Sequence, residues 1–116
     1  MHIKKPTVVK AAGNKPKQIE EFIGLVNSAT SDLSIARMKS PAGWEEPPQT
    51  PEFDEYTFVL NGFVEILLED AKYIVKSNEV FIAPKGKRVQ YSTPKGAEYI
   101  AVCLPAFSPN NVHREE

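Results

Sequence analysis

Turn-forming residues interrupt the chain at short intervals between residues 31 and 104. They separate runs of five to seven residues that are rich in Val, Ile, Tyr and Phe. Such short β-prone runs, bounded by Gly, Pro, Asn and Asp, are typical of an all-β sandwich or barrel. The pattern predicts strands at 33–38, 56–60, 63–68, 72–76, 79–83, 88–92 and 98–104.

Two turns carry a specific backbone signal. Asn61 and Gly62 both tolerate positive φ, so they predict a tight hairpin that joins strands 56–60 and 63–68. Asn78 precedes the strand at 79–83. It is predicted to adopt the left-handed backbone conformation, because Asn tolerates that conformation best after Gly.

The segment 17–27, KQIEEFIGLVN, is ambiguous. Its apolar residues have helical spacing: Ile19, Phe22, Ile23 and Val26. Gly24 and the β-branched residues oppose a helix, and the stretch 21–26 is equally compatible with an edge or entry strand. We predict a short turn of helix followed by a strand.

The length of 116 residues fits one domain that buries a core without disulfides or a structural metal. We predict a single domain over 1–116, with a barrel core at about 33–104, an N-terminal extension at 1–32 and a C-terminal tail at 105–116. The lysines of the extension are interpreted as part of a solvated basic face: Lys4, Lys5, Lys10, Lys15 and Lys17.

Charge and cysteine content exclude several classes of function. The chain has 14 Lys and Arg against 15 Asp and Glu, so it lacks the positive charge typical of a nucleic-acid-binding protein. No segment approaches the ~20 apolar residues that span a bilayer, so neither nucleic acid nor membrane is expected as a partner. A single cysteine, Cys103, excludes an internal disulfide. With no secretion signal, it predicts a cytoplasmic protein.

Two stretches of the chain have a definite internal spacing. In the first, Gly43 is followed after five residues by Gln49-Thr-Pro51, after three more by Glu55 and after six more by Gly62. In the second, Asn78 is followed after five residues by Pro84-Lys-Gly86, after two more by Val89 and after three more by Thr93.

These spacings resemble the two motifs of the cupin superfamily, with Asn78 in place of a turn glycine and Thr93 in the last motif position. The resemblance covers about residues 33–104. It implies an all-β cupin double-stranded β-helix (jelly-roll) barrel with a short N-terminal extension. It also implies a homodimer, because small cupins commonly pair through their sheets and N-terminal strands.

In metal-binding cupins, four motif positions point into the barrel and hold the metal. The corresponding residues here are Gln49, Pro51, Glu55 and Val89. Only Glu55 is a strong ligand, because an amide oxygen binds transition metals poorly and Pro and Val offer no donor. Such metals generally need three or four good protein ligands. We therefore predict no cofactor and no metal-binding residue, and leave open only a weakly bound divalent metal.

Two other sources of metal ligands remain open. His113 lies in the tail and would complete a site if the tail folded over the barrel mouth. The first-motif loop is rich in carboxylates that attract a hard cation weakly when they cluster but are usually solvated: Glu45, Glu46, Glu52 and Asp54.

A cupin barrel without a metal still encloses a concave, mostly apolar pocket. If alternation along the strand holds, Glu55 lies inside it, where burial raises the pKa of a carboxyl and suits it to general acid or base catalysis. Alternatively, Glu55 is ion-paired with a Lys or Arg and braces the barrel. Tyr91 is the second candidate catalytic residue, with a core aromatic as its alternative role.

The candidate ligand-binding residues are Gln49, Arg37, Trp44, Val89 and Tyr99. Parity leaves two alternatives for Arg37: it faces the pocket, where it pairs with Glu55 or a ligand carboxylate, or it faces solvent. Trp44 is interpreted as a lid over the pocket or over a dimer seam. Cys103 is interpreted as a buried, inert thiol, because no histidine lies near it in sequence.

The sequence therefore predicts a cupin that binds a small molecule in an internal pocket, the ligand being anionic or carbonyl-bearing. One alternative is a metal-free lyase, isomerase or cyclase that uses Glu55 as general acid or base. The other is a metal-dependent cupin enzyme with atypical ligands. The fold alone does not choose among these functions.

Overall fold

The computed structural model describes residues 1–116, which form nine β-strands and no helix. The all-β prediction is confirmed. The strands are β1 (Thr7–Val9), β2 (Gln18–Ile23), β3 (Ser34–Ser40), β4 (Trp44–Glu45), β5 (Asp54–Leu68), β6 (Ala71–Lys76), β7 (Val80–Ala83), β8 (Val89–Thr93) and β9 (Ala97–Leu104).

All strand pairs are antiparallel, in the order β1-β2-β3-β9-β5-β8-β4, with β6 and β7 also paired to β5. Strand β5 is 15 residues long and connects the two parts of the fold. Its first half pairs with β7 and β9, and its second half pairs with β6 and β8. The sheet curls into the predicted jelly-roll barrel.

The predicted hairpin at Asn61-Gly62 is wrong, because β5 runs through both residues. Gly62 has a φ of 78°, and the pairing with β9 shifts register between Val59 and Asn61. A Cβ at Gly62 would lie 2.5 Å from the Gly96 carbonyl oxygen. The glycine therefore permits a close approach at the bend where β5 changes partners.

The predicted helical turn in 17–27 is also wrong. A strand forms instead, as β2, but it spans Gln18–Ile23 and so overlaps only the first half of the alternative strand at 21–26. Strand β2 pairs with β3 through Ile19 and Met38, and a register shift follows between Glu21 and Ile23. This irregularity changes which residues face inward. Ile19, Phe22 and Ile23 therefore have helical spacing although they lie in a strand, and Val26 lies in the turn that follows it. Asn78, by contrast, has the predicted left-handed conformation, with φ of 69°.

The C-terminal tail folds back over the loop that precedes β5. Three backbone hydrogen bonds join them: Thr50 N to His113 O, Glu52 N to Asn111 O and Glu115 N to Pro48 O. Gln49 also exchanges two backbone bonds with Val89. The tail is thus fastened across one side of the barrel mouth.

The barrel interior has two halves. The packed half is filled by nine buried hydrophobic side chains: Trp44, Val59, Val64, Ile66, Val75, Ala83, Val89, Tyr91 and Tyr99. The cavity half, between β2, β3, β9, the start of β5 and the tail, is not filled by side chains. Tyr91 and Tyr99 lie where the two halves meet, since they belong to the packed cluster and also line the cavity. No helix is long and apolar enough to cross a membrane.

Candidate functional site

The cavity half encloses a space of about 340 Å³. Thirteen of the 23 residues around it are hydrophobic, so its wall is mainly apolar. On β3 the inward side chains are Ser34, Ala36 and Met38, and on β9 they include Tyr99, Ala101 and Cys103. Strand alternation places these residues inside because each second residue of a strand faces the same side.

Glu55 lies at the cavity wall near the start of β5, as predicted. The residue as a whole is partly accessible, but protein surrounds its carboxyl. Burial is the main cause that raises the pKa of Glu55 from 4.5 to about 7, and the Glu46 carboxylate adds to the rise. The Lys17 and Arg114 cations and the Tyr91 hydroxyl oppose it. Glu55 is therefore a carboxyl that exchanges its proton near neutral pH.

Glu46 shares the cavity with Glu55. The interpretation of Glu46 as a solvated loop acid is wrong, since its side chain is buried. Burial raises the pKa of the Glu46 carboxyl, while Lys17 and Arg114 lower it. Glu46 follows strand β4, which has only two residues. So short a strand shows no alternation in the sequence, and the inward direction of Glu46 could not be predicted from it.

Lys17 also lines the cavity, so its interpretation as part of a solvated face is wrong. Its Nζ donates a hydrogen bond to the Tyr99 hydroxyl at 2.7 Å and lies 3.8 Å from the centroid of the Trp44 ring. These contacts hold the ammonium group by a hydrogen bond and a cation–π interaction. The sequence around Lys17 gives no indication that it faces the cavity, because its partners Tyr99 and Trp44 lie far away in sequence.

Arg114 brings a second cation to the cavity from the tail. Its guanidinium carbon lies 5.6 Å from the centroid of the Phe107 ring. Its Nε is buried without a hydrogen-bond partner, and the nearest acid oxygen, Glu46 Oε2, is 4.0 Å away. That distance exceeds the normal length of an N–H···O hydrogen bond.

Two further polar groups at the cavity lack partners. The Gln49 Oε1 atom and the Tyr91 hydroxyl are both buried and neither makes a complete hydrogen bond. The Tyr91 hydroxyl lies close enough to Glu55 to affect its pKa, but not in full hydrogen-bond geometry. Buried polar groups are rarely left unpaired in folded proteins. This concentration at one cavity is therefore unusual.

The structure brings four of the predicted site residues to the cavity: Glu55, Tyr91, Gln49 and Tyr99. Cys103 also reaches it as a mostly buried thiol, and burial raises the pKa of that thiol well above its usual value. The binding and catalytic roles of these residues stay predictions.

The structure does not bring Arg37, Trp44 or Val89 to the cavity wall. Because Ala36 and Met38 face inward, Arg37 faces outward, where it pairs with Glu98. Trp44 and Val89 are buried in the packed half. Trp44 is not a lid, and its Nε1 donates to the Ala12 carbonyl at 3.0 Å.

The residues at the four cupin metal positions do not form a coordination set. Glu55 is the only strong donor among them, Gln49 supplies one amide oxygen, and Val89 is fully buried and apolar. No group of three or more His, Cys, Asp or Glu side chains has an arrangement that would hold a metal ion.

The other candidate metal ligands are dispersed. His113 remains on the outer surface, where its Nε2 contacts Glu52. Asp54 accepts a hydrogen bond from the Lys85 backbone at 2.9 Å, whereas Glu46 turns into the barrel. The acids of the first-motif loop therefore do not converge on one point.

Comparison with known proteins gives the family of the chain. A family model described as "Ethanolamine utilisation protein EutQ" matches residues 8–108. The chain is 46% identical over 101 residues to a Myxococcus xanthus protein named endoribonuclease YbeY, a match that covers 85% of this chain and 34% of that protein. It is 35% identical over 57 residues to acetate kinase EutQ of Clostridioides difficile, covering 49% of this chain and 36% of that protein.

Solved structures give the fold. The Clostridium difficile EutQ protein superimposes with a TM-score of 0.63 at 24% identity, covering 78% of this chain and 68% of that one. An RmlC-like cupin from Shewanella frigidimarina gives a TM-score of 0.74 at 12% identity, covering 91% and 89%.

These matches confirm the cupin fold. The chain belongs to the EutQ family, and its fold is that of the cupins. It spans about a third of the length of the curated relatives that it matches.

Proposed function

We propose that this EutQ-family cupin binds a small organic molecule in the cavity of its barrel. The observation that supports this proposal is the set of unpartnered buried groups around one mainly apolar space: Gln49 Oε1, the Tyr91 hydroxyl and Arg114 Nε. Leaving such groups unpaired costs about 1–3 kcal/mol each. A ligand that supplied the missing partners would recover that free energy on binding.

The size of the cavity limits the ligand. At about 340 Å³ it lies near the lower end of the range for small-molecule sites, which is roughly 300–1,000 Å³. An apolar wall with few polar groups binds the body of a ligand by the hydrophobic effect and orients its polar atoms. The ligand is therefore compact, with an apolar body and a small number of oxygen or nitrogen atoms.

A screen against a cavity-filling variant tests the proposal. Ala101 faces the cavity, so Ala101→Leu should occupy part of the ligand space, whereas Ala71→Leu adds the same volume at an exposed position. Small metabolites are screened by thermal shift and by ligand-observed NMR, with acetate included because three curated relatives carry the name acetate kinase. Ligands should raise the melting point of the wild type and of Ala71→Leu but not of Ala101→Leu. The same response from all three proteins, or none from the wild type, would contradict the proposal.

A second candidate function is acid–base catalysis on the bound molecule. The observation in its favour is a carboxyl whose pKa is about 7, next to an unpaired tyrosine hydroxyl. A group that titrates near neutrality both accepts and donates protons under working conditions. For any ligand that turns over, Glu55→Gln should abolish turnover and retain binding. Full turnover by Glu55→Gln would eliminate Glu55 as the acid or base.

We also propose that neither function requires a metal ion, because only one of the four cupin metal positions carries a strong ligand. Elemental analysis of protein purified without added metal should find less than one tenth of an equivalent. A full equivalent of a transition metal that Glu55→Gln removes would instead support the metal-dependent alternative.

The single free cysteine fits a reducing compartment, which supports the cytoplasm as the place of action.

The proposed homodimer has a suitable surface on the outer face of the sheet. Phe58, Val80 and Ile82 are 41%, 57% and 54% exposed and lie on adjacent strands. A cluster of apolar side chains without charge at its centre can face a second copy of itself without opposing like charges. Ile82→Lys should convert the dimer to a monomer in size-exclusion chromatography with light scattering. Ile74→Lys, on exposed strand β6, is the matched control that should not.

A further inference from the structure

The C-terminal tail contributes a charged side chain to a cavity that the rest of the barrel encloses. Arg114 is the last residue of the chain to line the cavity, and its backbone bridges to Gln49. The neighbouring hydrogen bonds from Thr50 to His113 and from Glu115 to Pro48 fix the segment on either side. The position of the guanidinium is therefore set by strand-like pairing and not by a free tail.

The guanidinium group is oriented but not neutralised by a close partner. The Phe107 ring lies beneath it, with 5.6 Å between the ring centroid and the guanidinium carbon. The nearest acid, Glu46, is separated from Nε by 4.0 Å. A planar guanidinium with free N–H groups at an apolar cavity is suited to a carboxylate, which it binds through two parallel hydrogen bonds.

The charges around the cavity are balanced when every acid is ionised, and they favour an anion once Glu55 carries its proton. Three cations, Lys10, Lys17 and Arg114, and three acids, Glu21, Glu46 and Glu55, line the cavity. Protonation of Glu55 therefore leaves more positive than negative charge. An anionic ligand offsets this excess, whereas a cation adds to it.

Other polar groups that line the cavity indicate a second feature of the ligand. The Tyr91 hydroxyl lacks a partner, and Glu55 faces the same cavity. A protonated carboxyl and a phenol both donate hydrogen bonds. They therefore match a carbonyl or hydroxyl oxygen on the ligand, while Met38 and Ala101 pack against its hydrocarbon part.

We infer that the cavity binds an oxo- or hydroxy-substituted organic monocarboxylate, with the carboxylate held by Arg114 and the second oxygen held by Glu55 and Tyr91. This inference rests on the proposed function and specifies its ligand class. It makes Arg114 a ligand-binding residue that the tail adds to the barrel.

The experiment uses a matched set of probes: 2-oxo-, 4-oxo- and 5-oxohexanoate, the same three compounds as methyl esters, and hexanoate. Affinities are measured by titration calorimetry on the full chain. At least one oxo acid should bind, its methyl ester should bind at least tenfold more weakly, and hexanoate should bind more weakly than the oxo acid. These losses follow from removing the charge and the second oxygen, respectively.

Variants locate the carboxylate. Arg114→Gln should weaken binding of the oxo acid at least tenfold and leave binding of the ester unchanged. Arg114→Lys should give an intermediate loss, because lysine keeps the positive charge but lacks the paired N–H donors of the guanidinium. His113→Gln, on the outer surface of the same tail, should bind as the wild type does. Thermal melts of each variant establish that the tail remains folded.

The outcomes separate this inference from the function on which it rests. Esters that bind as tightly as the acids, or an unchanged affinity in Arg114→Gln, would overturn the assignment of Arg114 while cavity binding stood. If none of the seven probes binds but other molecules bind the wild type and not Ala101→Leu, the ligand class is overturned alone. If no molecule binds in an Ala101-dependent way, both fail.

Discussion

Strand β5 passes through both halves of the barrel interior, and its inward side chains change character along the way. Glu55 lies at the cavity, whereas Val59, Val64 and Ile66 are fully buried among other hydrophobic side chains. The hydrophobic side chains of the packed half fill its space by packing against one another. The cavity half leaves a titrating carboxyl and several polar atoms facing open space. The contrast assigns stability to the packed half and leaves the cavity half as the place of the proposed binding.

The largest expected effect is a loss of stability, which should differ between two isoleucines, one in each half. Ile66→Ala in the packed half should lower the free energy of unfolding by about 3–4 kcal/mol, because it removes buried methylene groups and creates a new void. Ile19→Ala, at the cavity wall, enlarges a space that already exists and should cost only about 1 kcal/mol. Urea denaturation measures both. Equal losses would mean that the two halves are equally packed.

The second effect is a pH dependence that arises in the cavity half. A carboxyl with a raised pKa keeps its proton in the folded state and loses it in the unfolded state between pH 4.5 and about 7. Stability should therefore fall as the pH rises through this window. The rise from 4.5 to about 7 corresponds to ~3 kcal/mol at roughly 1.4 kcal/mol per pH unit.

Glu55→Gln removes this dependence, so the variant should be more stable than the wild type at pH 8 and similar to it at pH 4.5. Denaturation curves across the range provide the measurement, with exposed Glu45→Gln as the control. A Glu55→Gln variant that follows the wild-type pH profile would show that Glu55 is well solvated.

A smaller effect compares two buried threonines of the same shape. The Thr57 hydroxyl, on β5 beyond Glu55, has no partner, whereas the Thr93 hydroxyl donates to the Pro41 carbonyl at 3.0 Å. Thr57→Val should stabilise the fold by about 1 kcal/mol, because it removes an unpaired buried hydroxyl. Thr93→Val should destabilise it by a similar amount. The two changes in urea midpoint should therefore have opposite signs.

The smallest effect concerns the outer attachment of the tail. His113 and Glu52 form a pair with half-exposed side chains. Such pairs contribute about 0–1 kcal/mol, so His113→Gln should shift the melting point by no more than a few degrees. A larger loss would mean that this pair, and not the backbone bonds, holds the tail on the barrel.

Residues inside the two motifs were predictable because short strands between turn residues have a regular alternation. That alternation correctly predicted that Glu55 and Tyr91 face the barrel interior. The left-handed backbone of Asn78 was predictable from the residue type. Residue type misled at Gly62, where a glycine suited to a hairpin permits a bend instead.

Most of the charged residues at the cavity were not predictable from the sequence. Lys17, Glu46 and Arg114 come from segments before β2, after β4 and from the tail. Their orientation depends on long-range pairing, a register shift in β2 and backbone bonds to the tail. Without knowing that 105–116 folds over the mouth, the sequence offers no reason to prefer Arg114 to the nearby His113.

The ionisation of Glu55 is the most direct test of the contrast between the two halves. A carbon-13 NMR titration of the glutamate side-chain carboxyls, assigned with Glu55→Gln, follows this group from pH 4 to pH 9. The account predicts a midpoint of about 7 for Glu55. A midpoint near the ordinary value of 4.5 would contradict it, because the carboxyl would then be hydrated or ion-paired and not held in an enclosed binding cavity.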